Sequence, residues 1–383
     1  MSERAQTFVQ LLPGDPAPWF VQRSPGKPQF AFDTAAGRYI VLCFFASAGD
    51  AAARGALQSI GAHRRLFDDE RLSFFGVSMD ARDEQEGRVR EHLPGLRLFW
   101  DFDGAVGRRY GVIPTDAVLD GKPLPTRRFW LVLDPAMRVM RLFPLTPDGS
   151  ERAALFEFLK ALPPHDRFAG FPVPAPVLVI PNAFEPAFCR KLIEYYETKG
   201  GVESGFMQEQ DGKTVMRLDP EQKRRRDCDI EDADLVRETQ ARVTRRILPE
   251  LRKVYQFKTT RMERTIVSCY LAEDGGHFRA HRDNTTKGTA HRRFAISLNL
   301  NEDFEGGELS FPEYGGQRFK MPAGCAVVFS CSLLHRVSPV TSGRRYAFLP
   351  FLYDDEAARL RLDNNPHLGE QVPAYRDPEI EKT

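Results

Sequence analysis

The sequence predicts two domains of different class, an open α/β sheet followed by a β-sandwich or barrel. Three observations predict it. A chain of 383 residues is long enough for two or three hydrophobic cores. Strand-like and helix-like stretches alternate up to about residue 160, whereas short strand-like stretches follow one another from Thr265 onward. Between the two patterns proline becomes dense, at Pro163, Pro164, Pro172, Pro174 and Pro176.

In the first half, residues 39–45, 72–78 and 129–134 are short continuous apolar runs, the pattern of strands buried on both faces. The stretch 51–67 between the first two has helical spacing. The proline-dense stretch suits neither a helix nor a central strand and reads as a linker. The expected boundaries are 1–165 for the first domain, 166–176 for the linker and 177–383 for the second domain.

The second half opens with an apolar segment at 177–180. A helix with Pro186 in its first turn follows, with Phe188, Leu192 and Tyr196 on one face and Gly200-Gly201 as its stop. A longer helix is expected over 232–255, where Leu235, Val243, Ile247 and Leu251 recur at helical spacing and Pro249 kinks or ends it. The expected strands are then 266–271, 294–300, 308–311, 326–330 and 346–353, punctuated by Gly, Asn, Asp and Pro.

Composition narrows the function classes. Apolar content of 42% and charged content of 28% are ordinary for a soluble globular protein. The net charge of +1 gives no global reason to expect nucleic acid or an anionic membrane as a partner. No apolar run reaches transmembrane length and the first residues lack a secretory pattern, so a cytoplasmic setting is expected. The six cysteines form no C-x-x-C pair and read as reduced, buried residues; Cys325 and Cys331 read as strand core.

The chemistry concentrates in His281-x-Asp283, His335 and Arg345. Two histidines and a carboxylate can hold one face of a metal ion and leave the other open, the donor set of non-haem Fe(II) sites. Residues two apart on an extended segment point to the same side, so His281 and Asp283 can share an ion. Arg345 offers a planar, permanently charged fork for a carboxylate. Of the neighbouring polar residues, His277 reads as a surface or supporting residue and His291 as solvent-facing or substrate-contacting. Arg344 should face away from Arg345, and the basic run 223–226 reads as a solvated loop.

These residues belong to a longer ordered set: Tyr270, 276–283, Arg293, 297–301, 304–311, 321–324 and 335–345. The set resembles the prolyl-4-hydroxylase-like branch of the 2-oxoglutarate/Fe(II) dioxygenases, and residues 177–196 look like that family too. The resemblance implies a double-stranded β-helix (jelly roll) with flanking helices. It implies iron ligands at His281, Asp283 and His335, with the keto-acid carboxylate on Arg345 and a second contact from Tyr270. Fe(II) would be the cofactor, 2-oxoglutarate and O2 the co-substrates, and ascorbate a further reductant. Related halogenating enzymes replace the carboxylate ligand by a small residue, so Asp283 implies hydroxylation. The implied substrate is a peptidyl or protein side chain such as proline, with a free amino acid or small metabolite as the alternative. A non-catalytic scaffold is the rival from another class.

Residues 12–18, the 39–45 run and 128–134 resemble the peroxiredoxin/thioredoxin superfamily. Aligned on the 39–45 strand, the peroxidatic cysteine falls on Ala53 and the neighbouring threonine on Asp50, while Arg128 falls on the active-site arginine. Thiol chemistry needs a thiolate, so the resemblance implies an inactive thioredoxin-like domain for recruitment or homodimerisation, whose Arg128 has nothing to activate.

Overall fold

The computed structural model describes residues 7–120, 122 and 124–377. The chain forms two compact units, Met1–Pro174 with Pro312–Gly316, and Ala175–Phe311 with Gln317–Thr383.

The first unit is built on a five-stranded sheet. Its spatial order is Leu96–Trp100, Leu72–Ser78, Tyr39–Ala46, Phe129–Leu133 and Val139–Pro144. The first three strands are parallel and the last two antiparallel to their neighbours. The run 39–45 is buried throughout because it is the central strand, covered on both faces. One face packs Val41, Cys43 and Phe45 with Ile60, Trp130 and Phe156. The other holds an aromatic cluster in which Phe75 stacks on Phe99 at 5.3 Å.

The helix expected over 51–67 runs only from Ala51 to Ala62. Asp50 caps its start, accepting from the backbone N–H groups of Ala52 at 2.9 Å and Ala53 at 3.2 Å. A 3-10 turn at Arg64–Leu66 then redirects the chain and turns Phe67 into the core. The helix Glu151–Lys160 buries Leu155, Phe156 and Leu159.

The second unit contains two sheets. The larger follows the path Arg261–Glu263, Phe351–Tyr353, Phe294–Asn299, Val340–Phe348, Ile266–Leu271, Arg226–Asp229, Val202–Glu203. Ala326–Ser330 joins it between Phe294–Asn299 and Leu178–Ile180. The smaller sheet orders Lys223–Arg224, His277–His281, His335–Val337, Leu309–Ser310 and Arg318–Phe319. Where one strand was expected over 346–353, Leu349-Pro350 separates two, because proline donates no ladder hydrogen bond.

Helix Pro186–Lys199 starts at its proline and ends at Gly200, whose φ of 76° suits glycine. Its Phe188 and Leu192 share one core with Ile247 and Leu251 and with Val267, Ile296, Leu298 and Val328 of the larger sheet. The expected 232–255 helix neither ends nor breaks at Pro249. Ala233–Arg242 passes through a π-turn, Val243–Ile247, into Leu248–Tyr255. The wider turn just before Pro249 absorbs the missing N–H and the ring's clash with the preceding turn.

Two further features lay outside the sequence reading. Phe206–Gln210 and Lys213–Arg217 form a hairpin, and helix Asp355–Asp363 begins at the Asp354 cap, which accepts from Ala357 N at 2.9 Å. All six cysteines are free and buried. Among the described residues no helix is long and apolar enough to cross a membrane.

Candidate metal centre

Strand pairing brings the two histidines together. His281 and His335 are direct partners between adjacent antiparallel strands, and their ring centroids are 4.2 Å apart. Between Phe278 and His281 one extra residue opposes the partner strand, a bulge that re-aims the end of the strand. Asp283 follows two residues later, held by its backbone N–H donating to Cys331 O at 2.9 Å. The ligand-type atoms of His281, Asp283 and His335 all lie within 4.8 Å of one another.

The donor atoms suit a metal ion. His281 Nε2 is 3.5 Å from Asp283 Oδ1 and His335 Nε2 is 3.4 Å from Asp283 Oδ2. Two atoms bound at right angles about 2.1 Å from one ion stand roughly 3 Å apart, so little adjustment is needed. The other ring nitrogens are already engaged: His281 Nδ1 with Arg279 O at 2.7 Å and His335 Nδ1 with Leu333 O at 3.0 Å. Those carbonyls fix the proton on Nδ1 and leave both Nε2 lone pairs for a ligand role.

Electrostatics agree. Burial and the neighbouring His281 ring push the His335 imidazole down to about 4, so it is neutral at physiological pH, as a ligand must be. Burial alone would raise the Asp283 carboxyl. Coulombic attraction to the His335 imidazole in its protonated form, the interaction with His281 and the charge of Arg292 outweigh it and hold the group well below the usual carboxylate range. Phe278 stacks on His281 at 3.4 Å and Phe329 meets His335 edge-on at 4.7 Å, giving the centre apolar walls.

A row of side chains crosses three neighbouring strands of the larger sheet. Tyr270 pairs with Arg345, whose guanidinium lies 5.2 Å over the tyrosine ring. Arg345 is 2% exposed. Its Nε donates to Asn299 Oδ1 at 3.0 Å and its Nη2 to Ser297 Oγ at 2.9 Å. Its Nη1 has no hydrogen-bond partner among the described residues. Burial and Arg225 lower its proton affinity, yet a guanidinium stays charged. Arg344 is exposed, 3.7 Å from Glu197, as the alternation of the strand requires.

Several polar residues differ from their expected roles. The run 223–226 is not a solvated loop: Lys223 and Arg225 are buried and only Arg224 and Arg226 are exposed. Lys223 Nζ donates to Ser204 Oγ at 2.7 Å and Gly205 O at 2.6 Å, and burial pushes its ammonium well below the ordinary value. Arg225 Nη1 donates to Tyr270 Oη at 3.4 Å, and its Nη2 to Asp227 Oδ2 at 2.7 Å. Asp227 also accepts from Arg264 Nη2 at 2.8 Å and Ser268 Oγ at 2.6 Å. The readable signal was the alternation Lys223-x-Arg225-x-Asp227, one side of an extended stretch.

His291 does not face solvent. It is 1% exposed and its Nε2 stands 3.1 Å from Glu263 Oε2. His277 is half-buried, with Nδ1 2.8 Å from Gly275 O, outside the cluster. In the first unit Ala53 is buried in helix Ala51–Ala62, and Arg128 is not idle: its Nη1 is 2.5 Å from Asp50 Oδ1. The carboxylate that caps the helix also supplies the arginine's counter-charge.

Comparison with known proteins accords with this division. Residues 265–353 match the 2OG-Fe(II) oxygenase superfamily, and residues 13–141 match the AhpC/TSA family. Curated relatives include a PKHD-type hydroxylase of Pseudomonas fluorescens, 44% identical over 21% of this chain and 39% of the relative. A PKHD-type hydroxylase of Pseudomonas putida is 41% identical over 28% of this chain and 53% of the relative. The chain thus spans between about two fifths and about half of these relatives' length. Among solved structures, a Pseudomonas putida prolyl-4-hydroxylase aligns at 16% identity with TM-score 0.36, covering 46% of this chain and 92% of that one. Xanthomonas campestris peroxiredoxin Q aligns at 21% identity with TM-score 0.30, covering 37% and 90%. One polypeptide therefore matches the AhpC/TSA family over residues 13–141 and, after it, the 2OG-Fe(II) oxygenase superfamily over residues 265–353.

Proposed function

We propose that this chain is an Fe(II)- and 2-oxoglutarate-dependent dioxygenase that hydroxylates a C–H bond. The observation that carries the reading is Arg345, a buried guanidinium with an unpartnered Nη1 and no carboxylate pairing with it among the described residues, in the same matched segment as the His281–Asp283–His335 cluster. A buried charge without a counter-ion is costly, and the distal carboxylate of a keto acid supplies one. The chemistry Fe(II) supplies in such a site is the coupling of keto-acid decarboxylation by O2 to oxidation of a substrate C–H bond. His281, Asp283 and His335 hold the ion by one face, Arg345 binds and orients the keto acid, and Tyr270 lies against Arg345. Phe278 and Phe329 keep water from the two imidazoles. Ascorbate fits as an accessory reductant.

The fold reading is a double-stranded β-helix, supported by two sheets, in the smaller of which the second and third strands pair His281 with His335 at their ends. The domains are proposed as 1–165, a linker at 166–176, and 177–383. The proposed substrate is a peptidyl side chain such as proline, in line with the hydroxylase relatives and the prolyl-4-hydroxylase-like motif set; a free amino acid is the second reading. The thioredoxin-like unit is proposed to recruit substrate or dimerise rather than to do thiol chemistry, because Ala53 replaces the nucleophile and every cysteine is buried. Reduced, buried cysteines also suit a cytoplasmic setting.

The test is an anaerobic titration of metal-free protein with Fe(II) and 2-oxoglutarate, followed by the visible band of a keto acid chelated to Fe(II). A band in wild type that is lost in His281→Ala supports the site. Folded wild-type protein that gives no band would instead favour a non-catalytic scaffold.

A further inference from the structure

A buried ion cluster ties the C-terminal residues to the carboxylate ligand. Glu263 lies at the end of the edge strand Arg261–Glu263, two positions ahead of the matched 265–353 segment, and its side chain is 8% exposed. Arg292 Nε donates to Glu263 Oε1 at 2.7 Å, and Arg292 Nη1 donates to the backbone oxygen of Asp283 at 3.4 Å. Arg292 also lies 4.0 Å over the ring of Phe351, which fixes the plane of its guanidinium.

The second oxygen of Glu263 is held from outside the matched segment. Arg361, on helix Asp355–Asp363, places Nη2 at 2.6 Å from Glu263 Oε2. The same guanidinium donates through Nη1 to Tyr353 Oη at 2.8 Å and lies 4.1 Å over the ring of Tyr375. Tyr375 is itself pinned: its N–H donates to Asn365 Oδ1 at 2.9 Å, and Asn365 Nδ2 donates to Tyr375 O at 2.8 Å.

We propose that residues 354–377 are a working part of the metal centre, with Arg361 and Glu263 as positioning residues that hold Arg292 and, through it, Asp283. The inference rests on the metal-centre reading above. Without Arg361 the Glu263 Oε2 loses the charge-assisted hydrogen bond that fixes it, and the carboxylate can turn, carrying its remaining partner Arg292 with it. Arg292 would then be free to relax away from Asp283, and the face offered to the ion would loosen. Outer groups that orient metal ligands change affinity by about 10- to 100-fold when removed.

The test uses full-length, metal-free protein and Co(II) as a spectroscopic probe, so that it does not depend on turnover. Arg361→Gln should weaken Co(II) binding by about tenfold or more, whereas Arg361→Lys, which keeps a cation beside Glu263, should stay within about threefold of wild type. Tyr375→Leu, which loosens the tail without touching the buried carboxylate, serves if Arg361→Gln does not fold. It should weaken binding by about tenfold, the low end of the same range. Wild-type affinity in folded Arg361→Gln, or in Tyr375→Leu where the first variant is unfolded, overturns the inference and leaves the metal centre standing. Wild-type protein that fails to bind Co(II), or a His281→Ala variant that binds as well as wild type, overturns both.

Discussion

Replacement of Arg345 by methionine separates the anchoring role of this residue from a structural one. Methionine fills a similar volume, carries no charge and adapts its shape to the cavity. In wild type, two guanidinium N–H groups are committed to Asn299 and Ser297, and Nη1 has no hydrogen-bond partner among the described residues. The cation is buried with no carboxylate pairing with it among the described residues, so its removal relieves a cost of several kcal/mol in the ligand-free protein. Against that, Asn299 Oδ1 and Ser297 Oγ lose their donor, at about 1–3 kcal/mol each. The two effects oppose, and ligand-free stability should change by no more than about 2 kcal/mol. Binding has no such compensation. A buried carboxylate that loses its charged partner loses at least about 3 kcal/mol, or roughly a hundredfold in Kd. Anaerobic calorimetric titration of 2-oxoglutarate into metal-loaded protein, beside denaturant melts of the metal-free forms, reads both quantities. A Kd within threefold of wild type would refute the argument. Unfolding of the ligand-free variant would show that the arginine's main role is to hold the sheet together.

Further expectations concern the rest of the molecule. Asp283→Ala should abolish both Co(II) binding and hydroxylation, and turnover at the wild-type rate would remove Asp283 from the ligand set. Asp227→Asn should destabilise the fold by about 3–5 kcal/mol in denaturant melts, because it strands Arg225 and Arg264 in place. The pH dependence has the same origin. Burial would raise Asp227, but Arg225 and Arg264 hold its folded carboxyl below its unfolded value. Its stabilising contribution is therefore present above about pH 4 and is lost as pH falls from there. The Asp227→Asn variant should show a flatter acid limb; an unchanged limb would mean the cluster does not govern acid stability. In the first unit, Asp50→Ala should cost about 1 kcal/mol as a lost helix cap, with little more from the half-exposed pair with Arg128. Thiol-dependent peroxide consumption by the purified protein should be absent, and a robust rate would overturn the reading of Ala53.

Much of the architecture was legible because burial leaves a periodic trace. The buried runs at 39–45 and 72–78 read as central strands since a sheet covered on both faces admits no polar alternation. Helix Pro186–Lys199 was bounded by its own punctuation, proline at the start and glycine at the stop. Errors arose where the decisive partner was distant. The basic run 223–226 looked solvated because Ser204 and Gly205, the acceptors that bury Lys223, meet it only in the folded chain, although its counter-charge Asp227 stands just two residues from Arg225. His291 looked exposed because nothing near it in sequence reveals Glu263. Pro249 was expected to kink or end its helix, and which of the two was not legible, because a π-turn that accommodates a proline has no local signature.

Residue identity and spacing alone determined what this protein could do: which side chains can ligate a metal, which cation can receive a carboxylate, and that no C-x-x-C pair is present. Those are properties of functional groups and survive unfolding. Tertiary structure decided which of them act together. Only the pairing of His281 with His335, the carbonyls on their Nδ1 atoms and the burial of Arg345 without a carboxylate partner among the described residues turn separate residues into a candidate centre. The same holds for Glu263 and Arg361, which lie 98 positions apart. The physical reason is that charge and hydrogen bonding carry full weight only where water is excluded, and that exclusion is a property of the packed fold.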